Sequence, residues 1–573
     1  MTLIATRTDK KQPAPAMPVS SLTLGQYLFD CLKAEGITDI FGIPGDYNFS
    51  LLDTLERYEG IRFINGRNEL GAGYAADGYG RLRGLSALIT TFGVGEMSAC
   101  NTVAGASSEY VPLVHIVGAP KSTDQQAHKL MHHTLLNGDF DVFRQMYTHL
   151  CAYTAILTPE NAEQEIPEAI RIAKQKRKPV YLMVAIDLVT KPIVRRVAPE
   201  EKKTVSSQPA LDAAVQHIGG LLNGANHAVL LTDMLTLRYG LRDAVQQLAL
   251  RLNVPAASLL LGKSSFDERH PNYIGVYGGA FGSEQVKHIV ESADCVIAVG
   301  MVWTDINSGN ETAKLDRLRL VDIQPEYVRV GESRYEPVMA ADLIAALSAA
   351  GWKRNGGLPP VSFPYDAIIG EPDQPMRAAS YYPRFQRMLK DKDIVVVETG
   401  TFAYGMSQVR LPAGADYVVQ QGWQSIGYAT PAAFGACVAK PNRRVLLFTG
   451  DGSLQLTVQE ISTMLDNGCR PILFILNNNG YTIEKYLNVK TANQRYNQIP
   501  AWRYTQLAEA FGGTAFTAQA RTNRELDEAI AAAEQAQTSR LCIIELIVTD
   551  PLDAPDYLIR LRKHLEEQER LKG

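Results

Sequence analysis

The sequence lacks the features that mark secreted, membrane-spanning or nucleic-acid-binding proteins. Its seven cysteines are scattered and never form a CxxC pair, which argues against a disulfide framework or a zinc cluster and favours a reducing cytoplasm. No uncharged apolar run approaches the length that spans a bilayer, and the N-terminal stretch has no apolar core of a secretory signal. The net charge of −4 gives no attraction to nucleic acid or anionic lipid. Small molecules are therefore the expected partners.

The 573 residues instead alternate short apolar runs with helical patterns. A chain of this length exceeds one hydrophobic core, and this alternation predicts parallel sheets covered by helices on both faces. The expected strands are 86–91, 113–117, 180–184, 228–231, 296–299, 394–397, 445–448 and 472–476. Two polar, proline-containing stretches, 193–209 and 353–376, have the composition of surface linkers. We expect a disordered tail over 1–20 and three doubly wound α/β domains over 21–192, 210–352 and 377–573.

The segment from Gly450 to Gly480 carries a pattern typical of phosphate and metal sites. A Gly-Asp-Gly-Ser turn containing Asp451 follows one apolar strand, and Asn478 follows the next. Parallel strands joined by a crossover helix end at the same edge of a sheet, so the two side chains should converge. Carboxylate, amide and carbonyl oxygens suit octahedral Mg²⁺, and a helix expected to begin at Ser453 adds donors for a diphosphate. The turn alone is common, and the Asn-rich strand end 27 residues after Asp451 makes the pattern informative.

The pairing of Gly-Asp-Gly with Asn-Asn resembles the fingerprint of thiamine diphosphate enzymes, and its flanking residues resemble the 2-oxo acid decarboxylases. The likeness runs from Leu22 to about Glu567. It includes the segments Gly42-Ile-Pro-Gly-Asp46-Tyr-Asn, Asn68-Glu69-Leu and Leu130-Met-His132-His133. The resemblance implies a pyrimidine-binding first domain, a diphosphate-binding third domain, and thiamine diphosphate with Mg²⁺ as cofactors. Because this family builds each site between two chains, it also implies a homodimer at least, and commonly a homotetramer.

The same resemblance assigns roles to individual residues. The metal ligands would be Asp451, Asn478 and the carbonyl of Gly480. The catalytic residues would be Glu69, Asp46, His132, His133 and Glu484. The remaining cofactor contacts would be Gly400, Thr401, Gln424, Ile426, Gly452, Ser453, Tyr481, Thr482 and Ile483. Two positions depart from the family pattern, since some members carry aspartate in place of Thr401 and many carry glycine in place of Gln424.

The implied reaction is the non-oxidative decarboxylation of a 2-oxo acid to an aldehyde and carbon dioxide, through a thiamine diphosphate ylide and an enamine. Ordinary side chains cannot stabilise the carbanion that decarboxylation leaves, so the reaction needs an electron-sink cofactor. Glu69 would protonate the aminopyrimidine, and the histidine pair with Asp46 and Glu484 would move protons on the intermediates. The residue pattern by itself fits equally well a glutamate placed at a helix N-terminus by the helix dipole.

Ala403 bears on substrate size. It stands where pyruvate-specialised members carry a large aromatic side chain, which favours bulky substrates such as indolepyruvate, phenylpyruvate and branched-chain 2-oxo acids. Ile306 and Ile483 would line the same pocket. Another side chain filling the space is the competing explanation. Pyruvate decarboxylase remains an alternative, as does a carboligase of the acetolactate synthase type, which the histidine pair and Glu484 disfavour.

Two further patterns carry less weight. His128 and His132 have the i,i+4 spacing of zinc ligands, but no HExxH glutamate and no third ligand accompanies them. The run from Gly71 to Ala76 fits the loose GxGxxA dinucleotide pattern. It falls inside a helical pattern that continues to Arg81, so we interpret its small residues as close helix packing.

Overall fold

A computed structural model describes residues 19–194, 204–354 and 357–572, which form three consecutive α/β domains. This is the fold class that the sequence predicts. Of the predicted tail, residues 1–18 lie outside the described part, and residues 19 and 20 begin the first strand. The two predicted linkers also lie partly outside it, at 195–203 and 355–356. The domain boundaries remain predictions.

The first domain is built on a six-stranded sheet whose strand pairs are all parallel. The strands are β1 (Val19–Thr23), β2 (Asp39–Gly42), β3 (Arg62–Asn65), β4 (Ser86–Thr91), β5 (Leu113–Ala119), β6 (Tyr153–Leu157), β7 (Val180–Ala185) and β8 (Pro192–Val194). The helices are α1 (Leu24–Ala34), α2 (Phe49–Glu56), α3 (Glu69–Arg83), α4 (Val94–Ser108), α5 (Ser122–Gln126), α6 (Val142–Tyr147) and α7 (Ala162–Lys176). The sheet order is β3-β2-β4-β5-β7-β6, while β1 and β8 form a separate antiparallel pair.

The central domain has a seven-stranded mixed sheet. Its strands are β9 (Ala228–Thr232), β10 (Ala256–Leu259), β11 (Tyr273–Tyr277), β12 (Cys295–Val299), β13 (Leu320–Ile323), β14 (Val328–Val330) and β15 (Ser333–Tyr335). Its helices are α8 (Gln208–Gly224), α9 (Met234–Arg238), α10 (Arg242–Leu252), α11 (Glu284–Glu291) and α12 (Ala340–Ala349). The order is β11-β10-β9-β12-β13-β14-β15. The pairs β13–β14 and β14–β15 are antiparallel, and the other pairs are parallel.

The third domain again has a parallel six-stranded sheet. Its strands are β16 (Ile394–Val397), β17 (Asp416–Val418), β18 (Val445–Gly450), β19 (Ile472–Asn477), β20 (Ala515–Ala520) and β21 (Leu541–Ile547). Its helices are α13 (Ala378–Met388), α14 (Thr401–Met406), α15 (Ala429–Ala439), α16 (Asp451–Thr457), α17 (Glu460–Asp466), α18 (Thr482–Leu487), α19 (Leu507–Ala510), α20 (Asn523–Ala536) and α21 (Asp556–Lys572). The order β17-β16-β18-β19-β21-β20 repeats that of the first domain, strand for strand.

Helices α3 and α15 join the first domain to the third. A Cβ at Gly78 would lie 2.4 Å from the carbonyl oxygen of Ala432, and one at Gly435 would lie 1.9 Å from that of Ala75. Such close backbone approach requires small residues on both helices. The GxGxxA run lies within α3, in the continuous helix that the sequence predicts.

The strands that build the three sheets are mostly buried. All seven residues of β5 and all six of β4 are buried, as expected for parallel strands covered on both faces. Apolar clusters lie on both sides of the first and third sheets. Within the described ranges, every helix is too short or too polar to cross a bilayer.

Candidate active site

An aspartate and two histidines meet at the carboxyl ends of β2 and β5. Asp46 follows β2 in a 3-10 turn, and His132 and His133 lie in the loop after β5. Asp46 Oδ2 lies 2.6 Å from His132 Nε2, and Asp46 Oδ1 lies 3.5 Å from His133 Nδ1. The side chain of His132 is 61 % exposed and that of Asp46 is 40 % exposed, so a ligand can reach them. The structure therefore brings together three predicted catalytic residues.

Tyr47 supports this cluster, although sequence analysis assigned it no role. Its ring stacks on His132 with centroids 5.0 Å apart and meets His133 edge-on at 5.7 Å. The Tyr47 hydroxyl donates to the His132 carbonyl oxygen at 3.3 Å and lies 3.4 Å from His132 Nδ1. The sequence signal was its place beside Asp46 in a motif that resembles the family's.

The backbone of His133 rests against Gly93, which follows β4. Gly93 has a φ of 65°, and a Cβ there would lie 1.8 Å from the His133 carbonyl oxygen, so glycine is required. Glu96 fixes this turn by accepting hydrogen bonds from Gly93 N at 2.8 Å and from the Tyr181 hydroxyl at 2.7 Å. Burial raises the pKa of Glu96 to about 7. Sequence analysis missed Glu96, because an acidic residue in a first helical turn is common.

His128 does not join the cluster. Helix α5 ends at Gln126, and His128 has a φ of 48°, so the i,i+4 helical face suggested by its spacing from His132 does not form. The His128 ring instead contacts the carbonyl oxygen of Gly138 at 2.9 Å. The histidines lie in a loop, which removes the geometric basis for a zinc pair of His128 and His132.

Asp451 forms the centre of the second group of predicted residues, at the carboxyl ends of β18 and β19. Its Oδ2 accepts hydrogen bonds from the backbone of Asn478 at 3.0 Å and of Asn479 at 2.8 Å. Its Oδ1 accepts from Gly452 N at 2.8 Å. Asp451 is 2 % exposed, and burial raises its pKa to about 6. A buried carboxylate of this kind is stabilised by a bound cation.

The neighbours of Asp451 fit a metal and diphosphate site. The Asn478 amide nitrogen donates to Thr482 Oγ1 at 2.8 Å, which turns the side-chain oxygen of Asn478 away from that hydroxyl. Gly480 has a φ of 150°, and a Cβ there would lie 2.4 Å from the Asn497 carbonyl oxygen. The segment therefore supplies the three oxygen types that Mg²⁺ prefers, with a backbone that tolerates close approach.

The helix expected to begin at Ser453 begins two residues earlier, at Asp451. Gly450 has extended backbone angles and precedes the first turn, and Gly452 and Ser453 lie inside α16. A Cβ at Gly452 would lie 2.5 Å from the ring of Tyr481. Helix α16 ends at Thr457, and a second helix, α17, begins at Glu460.

Gln424 and Ile426 lie in a turn between β17 and α15. Gln424 has a φ of 58°, the left-handed conformation that glycine adopts easily, so the turn survives the replacement of glycine by Gln424. Ile426 is 38 % exposed. Ser425, between them, accepts a hydrogen bond from the Tyr74 hydroxyl of α3 at 2.7 Å. Tyr74 of the first domain therefore stabilises this turn.

Gly400, Thr401 and Ala403 lie at the start of α14. Gly400 has a φ of 90°, and a Cβ there would lie 3.5 Å from the Ile483 side chain. Ala403 is 2 % exposed and packs with the aromatic cluster around Phe402. Ile306 and Ile483 pack in a neighbouring cluster that contains Tyr404 and Tyr557. Ala403 thus packs in a different apolar cluster from Ile306 and Ile483, because successive residues of a helix face different neighbours. Their common pocket stays a prediction.

Glu398 is a further residue that sequence analysis missed. It directly follows β16, two residues before Gly400, and accepts hydrogen bonds from Thr399 N at 3.2 Å and Ala429 N at 3.1 Å. Burial raises its pKa to about 8. Glu398 thereby connects the Gly400 turn to Ala429, the first residue of α15. No local sequence pattern predicts such a long-range contact.

Glu69 is the first residue of α3, whose N-terminus is capped by Asn68 through a 2.7 Å hydrogen bond from Gly71 N. A Cβ at Gly95 would lie 3.3 Å from Glu69 Oε1, so Glu69 faces the same strand ends as the histidine cluster. Glu484 is exposed on α18 in the third domain. Among the described residues, no hydrogen bond or ion pair joins Glu69 or the histidine cluster to Asp451.

Each of the three domains contains a region that matches a known protein family. Residues 22–140 match the description "Thiamine pyrophosphate enzyme, N-terminal TPP binding domain". Residues 215–350 match the central domain of the same enzymes, and residues 398–546 match their C-terminal TPP binding domain. The histidine cluster and Glu69 therefore lie in the first matched region, and Asp451 in the last.

Curated relatives match nearly the whole chain. A protein described as alpha-keto-acid decarboxylase from Mycolicibacterium paratuberculosis is 37% identical over 94% of this chain and 96% of its own length. One with the same description from Mycobacterium ulcerans is 38% identical over 94% of this chain and 95% of its own. A pyruvate decarboxylase from Hanseniaspora uvarum is 38% identical over 94% and 98%, respectively.

Proposed function

Because the chain belongs to the thiamine pyrophosphate-dependent 2-oxo acid decarboxylases, we propose that its preferred substrates are bulky 2-oxo acids, which it converts to aldehydes and carbon dioxide. The chain is a carbon–carbon lyase of this family. The observation that carries the proposed proton chemistry is the cluster of Asp46, His132 and His133, with contacts of 2.6 and 3.5 Å. Aspartate and histidine in contact form a suitable pair for moving protons near neutral pH.

Each catalytic residue has a proposed task. When bound, thiamine diphosphate supplies the electron sink that decarboxylation of a 2-oxo acid needs. Glu69 holds a proton at the aminopyrimidine, a task supported by its place at the strand ends beside Gly95. The two histidines, Asp46 and Glu484 deliver and remove protons at the carbon from which carbon dioxide departs.

Magnesium is the proposed metal. Asp451, Asn478 and the carbonyl of Gly480 would hold it, and the buried carboxylate with its raised pKa supports a cation there. The diphosphate would lie against Gly452, Ser453 and the segment 481–483. Gly400, Thr401, Ile426 and the carbonyl of Gln424 would contact the rest of the cofactor. The left-handed backbone at Gln424 supports that contact.

We propose a homodimer as the smallest active form, with a homotetramer as the common state. The support is that the two groups of proposed site residues lie in different matched regions, the histidine cluster within residues 22–140 and Asp451 within residues 398–546. A site completed by a second copy would bring the two halves together. We also propose a reducing cytoplasmic setting, which the seven free cysteines support.

The preference for bulky substrates is proposed on the small side chain of Ala403. The support is the size difference between its methyl group and the large aromatic side chain that pyruvate-specialised members of the family carry at this position. Pyruvate remains the alternative substrate, because a pyruvate decarboxylase is as similar to the chain as the alpha-keto-acid decarboxylases are. Initial rates with pyruvate, 2-oxoisovalerate, phenylpyruvate and indolepyruvate decide between them. A higher kcat/KM for pyruvate than for the other three would overturn the proposal.

The reaction itself is tested by the Glu69→Gln substitution. We expect aldehyde formation to fall by roughly 100-fold or more, since a positioned acid contributes about that much. Glu56→Gln, an exposed residue of the same domain, is the matched control and should keep full activity. Unchanged aldehyde formation by the Glu69 variant contradicts the assigned task. Acetolactate as the main product from pyruvate would instead establish the carboligase alternative.

A further inference from the structure

A polar cavity of about 320 Å³ lies where the segment 353–376 and the third domain meet Arg269 of the central domain. This volume is in the range of small-molecule sites, which span roughly 300–1,000 Å³. Three arginines and one aspartate contribute to its wall together with polar and aromatic side chains. We name it the arginine cavity, after Arg269, Arg387 and Arg410, which line it with Asp366, Gln386 and Tyr365.

Two of these arginines keep donors for a ligand. Among the described residues, Arg269 has a single ionic partner, Asp391, at a distance of 4.0 Å. Arg387 contacts Asp527 at 2.9 Å, but that carboxylate also binds Arg384 at 3.2 Å. A guanidinium carries five N–H donors, so neither contact exhausts the group. The Arg269 and Arg387 side chains are 54 % and 59 % exposed, which leaves them accessible.

The backbone at Arg410 is fixed on both sides by a buried ion pair of the central domain. Lys263 Nζ and Glu268 Oε2 bind each other, and Lys263 donates to the Val409 carbonyl oxygen at 2.7 Å. Glu268 Oε2 accepts from Leu411 N at 2.8 Å. The ion pair of the central domain therefore fixes the backbone segment of the third domain that carries Arg410.

The side chain of Arg410 is also held in place. Its guanidinium contacts Asp366 at 3.0 Å and lies over the ring of Phe363 at 4.6 Å from the centroid. Gln386, in the same wall, accepts a hydrogen bond from Arg410 N at 2.7 Å. A positioned guanidinium loses little entropy on binding a ligand, which favours recognition.

We propose that the arginine cavity binds a small oxyanion, a carboxylate or a phosphate, separately from the cofactor and the reacting substrate. Guanidinium groups pair with both kinds of anion through parallel N–H···O bonds, and three of them converge on one small cavity. The guanidinium groups of Arg269 and Arg387 supply N–H donors that their ion pairs leave available. The guanidinium of Arg410, held by Asp366, supplies a donor in a fixed position.

The cavity wall is connected to helix α14. Tyr365 stacks on Tyr382 with ring centroids 5.4 Å apart, and the Tyr382 hydroxyl donates to the Thr401 carbonyl oxygen at 3.2 Å. Tyr365, which lines the arginine cavity, is therefore connected through Tyr382 to Thr401, a proposed cofactor-binding residue.

Isothermal titration of the holoenzyme tests this site directly. The protein is saturated with thiamine diphosphate and Mg²⁺, so that the diphosphate site is filled, and titrated at constant ionic strength with inorganic phosphate or with malonate. We expect saturable binding of at least one of them. The Arg269→Gln/Arg387→Gln variant should bind at least tenfold more weakly, since it loses two charge-assisted contacts.

The control is Arg319→Gln, which removes an arginine of similar exposure, 52 %, that pairs with Asp294 and Asp316 elsewhere in the central domain. It should bind as the unmodified protein does. Saturation by phosphate alone or by malonate alone identifies which oxyanion the cavity takes. No saturable binding, an unchanged double variant, or an equal loss in the control would each overturn the site. Because the readout is binding, the result is independent of the decarboxylase reaction.

Discussion

At the scale of single residues, the contacts around His132 depend on one tyrosine. Tyr47 both stacks on the His132 ring and places its hydroxyl near two His132 atoms. The stacking and the hydrogen bonding are separable, because phenylalanine retains the first and removes the second. This makes Tyr47 a positioning residue for the proposed proton transfer.

Tyr47→Phe should lower kcat by roughly 2- to 10-fold with little change in KM, which corresponds to the loss of one hydrogen bond of about 0.5–1.5 kcal/mol. Its kcat-against-pH profile should shift, because the altered contact is made to a titratable ring. Steady-state kinetics between pH 5 and 8 measure both effects. Tyr58→Phe, which loses a hydroxyl contact to Asp30 in the same domain, serves as the control. An identical pH profile for the two variants would refute the role of Tyr47.

A second prediction at this scale concerns substrate size. Ala403→Phe should lower kcat/KM for phenylpyruvate relative to pyruvate by roughly 10- to 100-fold, a range typical of hydrophobic pocket discrimination. Since Ala403 is 2 % exposed, the variant's melting temperature must first be shown to match that of the unmodified protein. Ile483→Phe, at a partly buried position of the neighbouring apolar cluster, tests the proposed pocket with less risk to folding. If neither variant changes the ratio, these residues do not set substrate size.

At the residue scale, the sequence predicts some of the site contacts and misses others. Asp46 and His132 are 86 residues apart, and no spacing rule predicts their 2.6 Å contact; only the family resemblance grouped them. Local spacing was misleading for His128, which a left-handed backbone turns away from His132. Tyr47, Glu96 and Glu398 act through long-range hydrogen bonds, which a single sequence does not encode in any local pattern.

At the scale of elements, the apolar runs located the strands well. The runs predicted at 86–91 and 394–397 coincide with β4 and β16, because strands buried on both faces read as continuous hydrophobic stretches. Helix starts were less predictable. The helix after β18 begins at Asp451, since the extended Gly450 already ends the strand, whereas the sequence suggested Ser453.

The first turn of α4 yields a pH prediction. Burial raises the pKa of Glu96 to about 7, so the folded state favours the protonated acid. The stabilisation is therefore complete below the ordinary glutamate pKa of about 4.3 and is lost as the pH rises through 7. Glu96→Gln removes this titration. Its melting temperature relative to the unmodified protein should rise by roughly 2 °C or more between pH 5 and pH 8.

Differential scanning calorimetry at fixed ionic strength measures this difference. Glu109→Gln is unsuitable as a control, because that buried carboxylate pairs with Arg81. Glu59→Gln changes an exposed glutamate of the same domain and should show no such pH dependence. A constant difference between the Glu96 variant and the unmodified protein across the pH range would contradict the raised pKa.

At the scale of the whole molecule, α3 and α15 hold the first and third domains together. The contact depends on Gly78 and Gly435, whose missing side chains let the two backbones meet. Tyr428, just before α15, adds a 2.5 Å hydrogen bond to Asp77 of α3. The turn with Gln424 and Ile426 immediately precedes α15, so the domain contact also positions proposed cofactor-binding residues.

Gly435→Ala should destabilise the protein, because its Cβ would lie 1.9 Å from the Ala75 carbonyl oxygen. Overpacking of this kind costs about 1–3 kcal/mol, which lowers the melting temperature by several degrees. Thermal unfolding followed by circular dichroism measures the loss. Gly220→Ala, in α8, meets no atom within 4 Å and should be neutral or slightly stabilising. Equal melting temperatures for the two variants would show that the helices do not meet this closely.

The first and third sheets share one strand order, so the contact between α3 and α15 joins equivalent helices of the two domains. Helix α3 follows β3 and α15 follows β17, which hold equivalent positions in their sheets. Two equivalent helices packed on each other are what a two-fold axis between identical subunits produces. The first and third domains therefore meet through equivalent helices, and this one contact links the domain with the proposed proton-transfer cluster to the domain with the proposed diphosphate site.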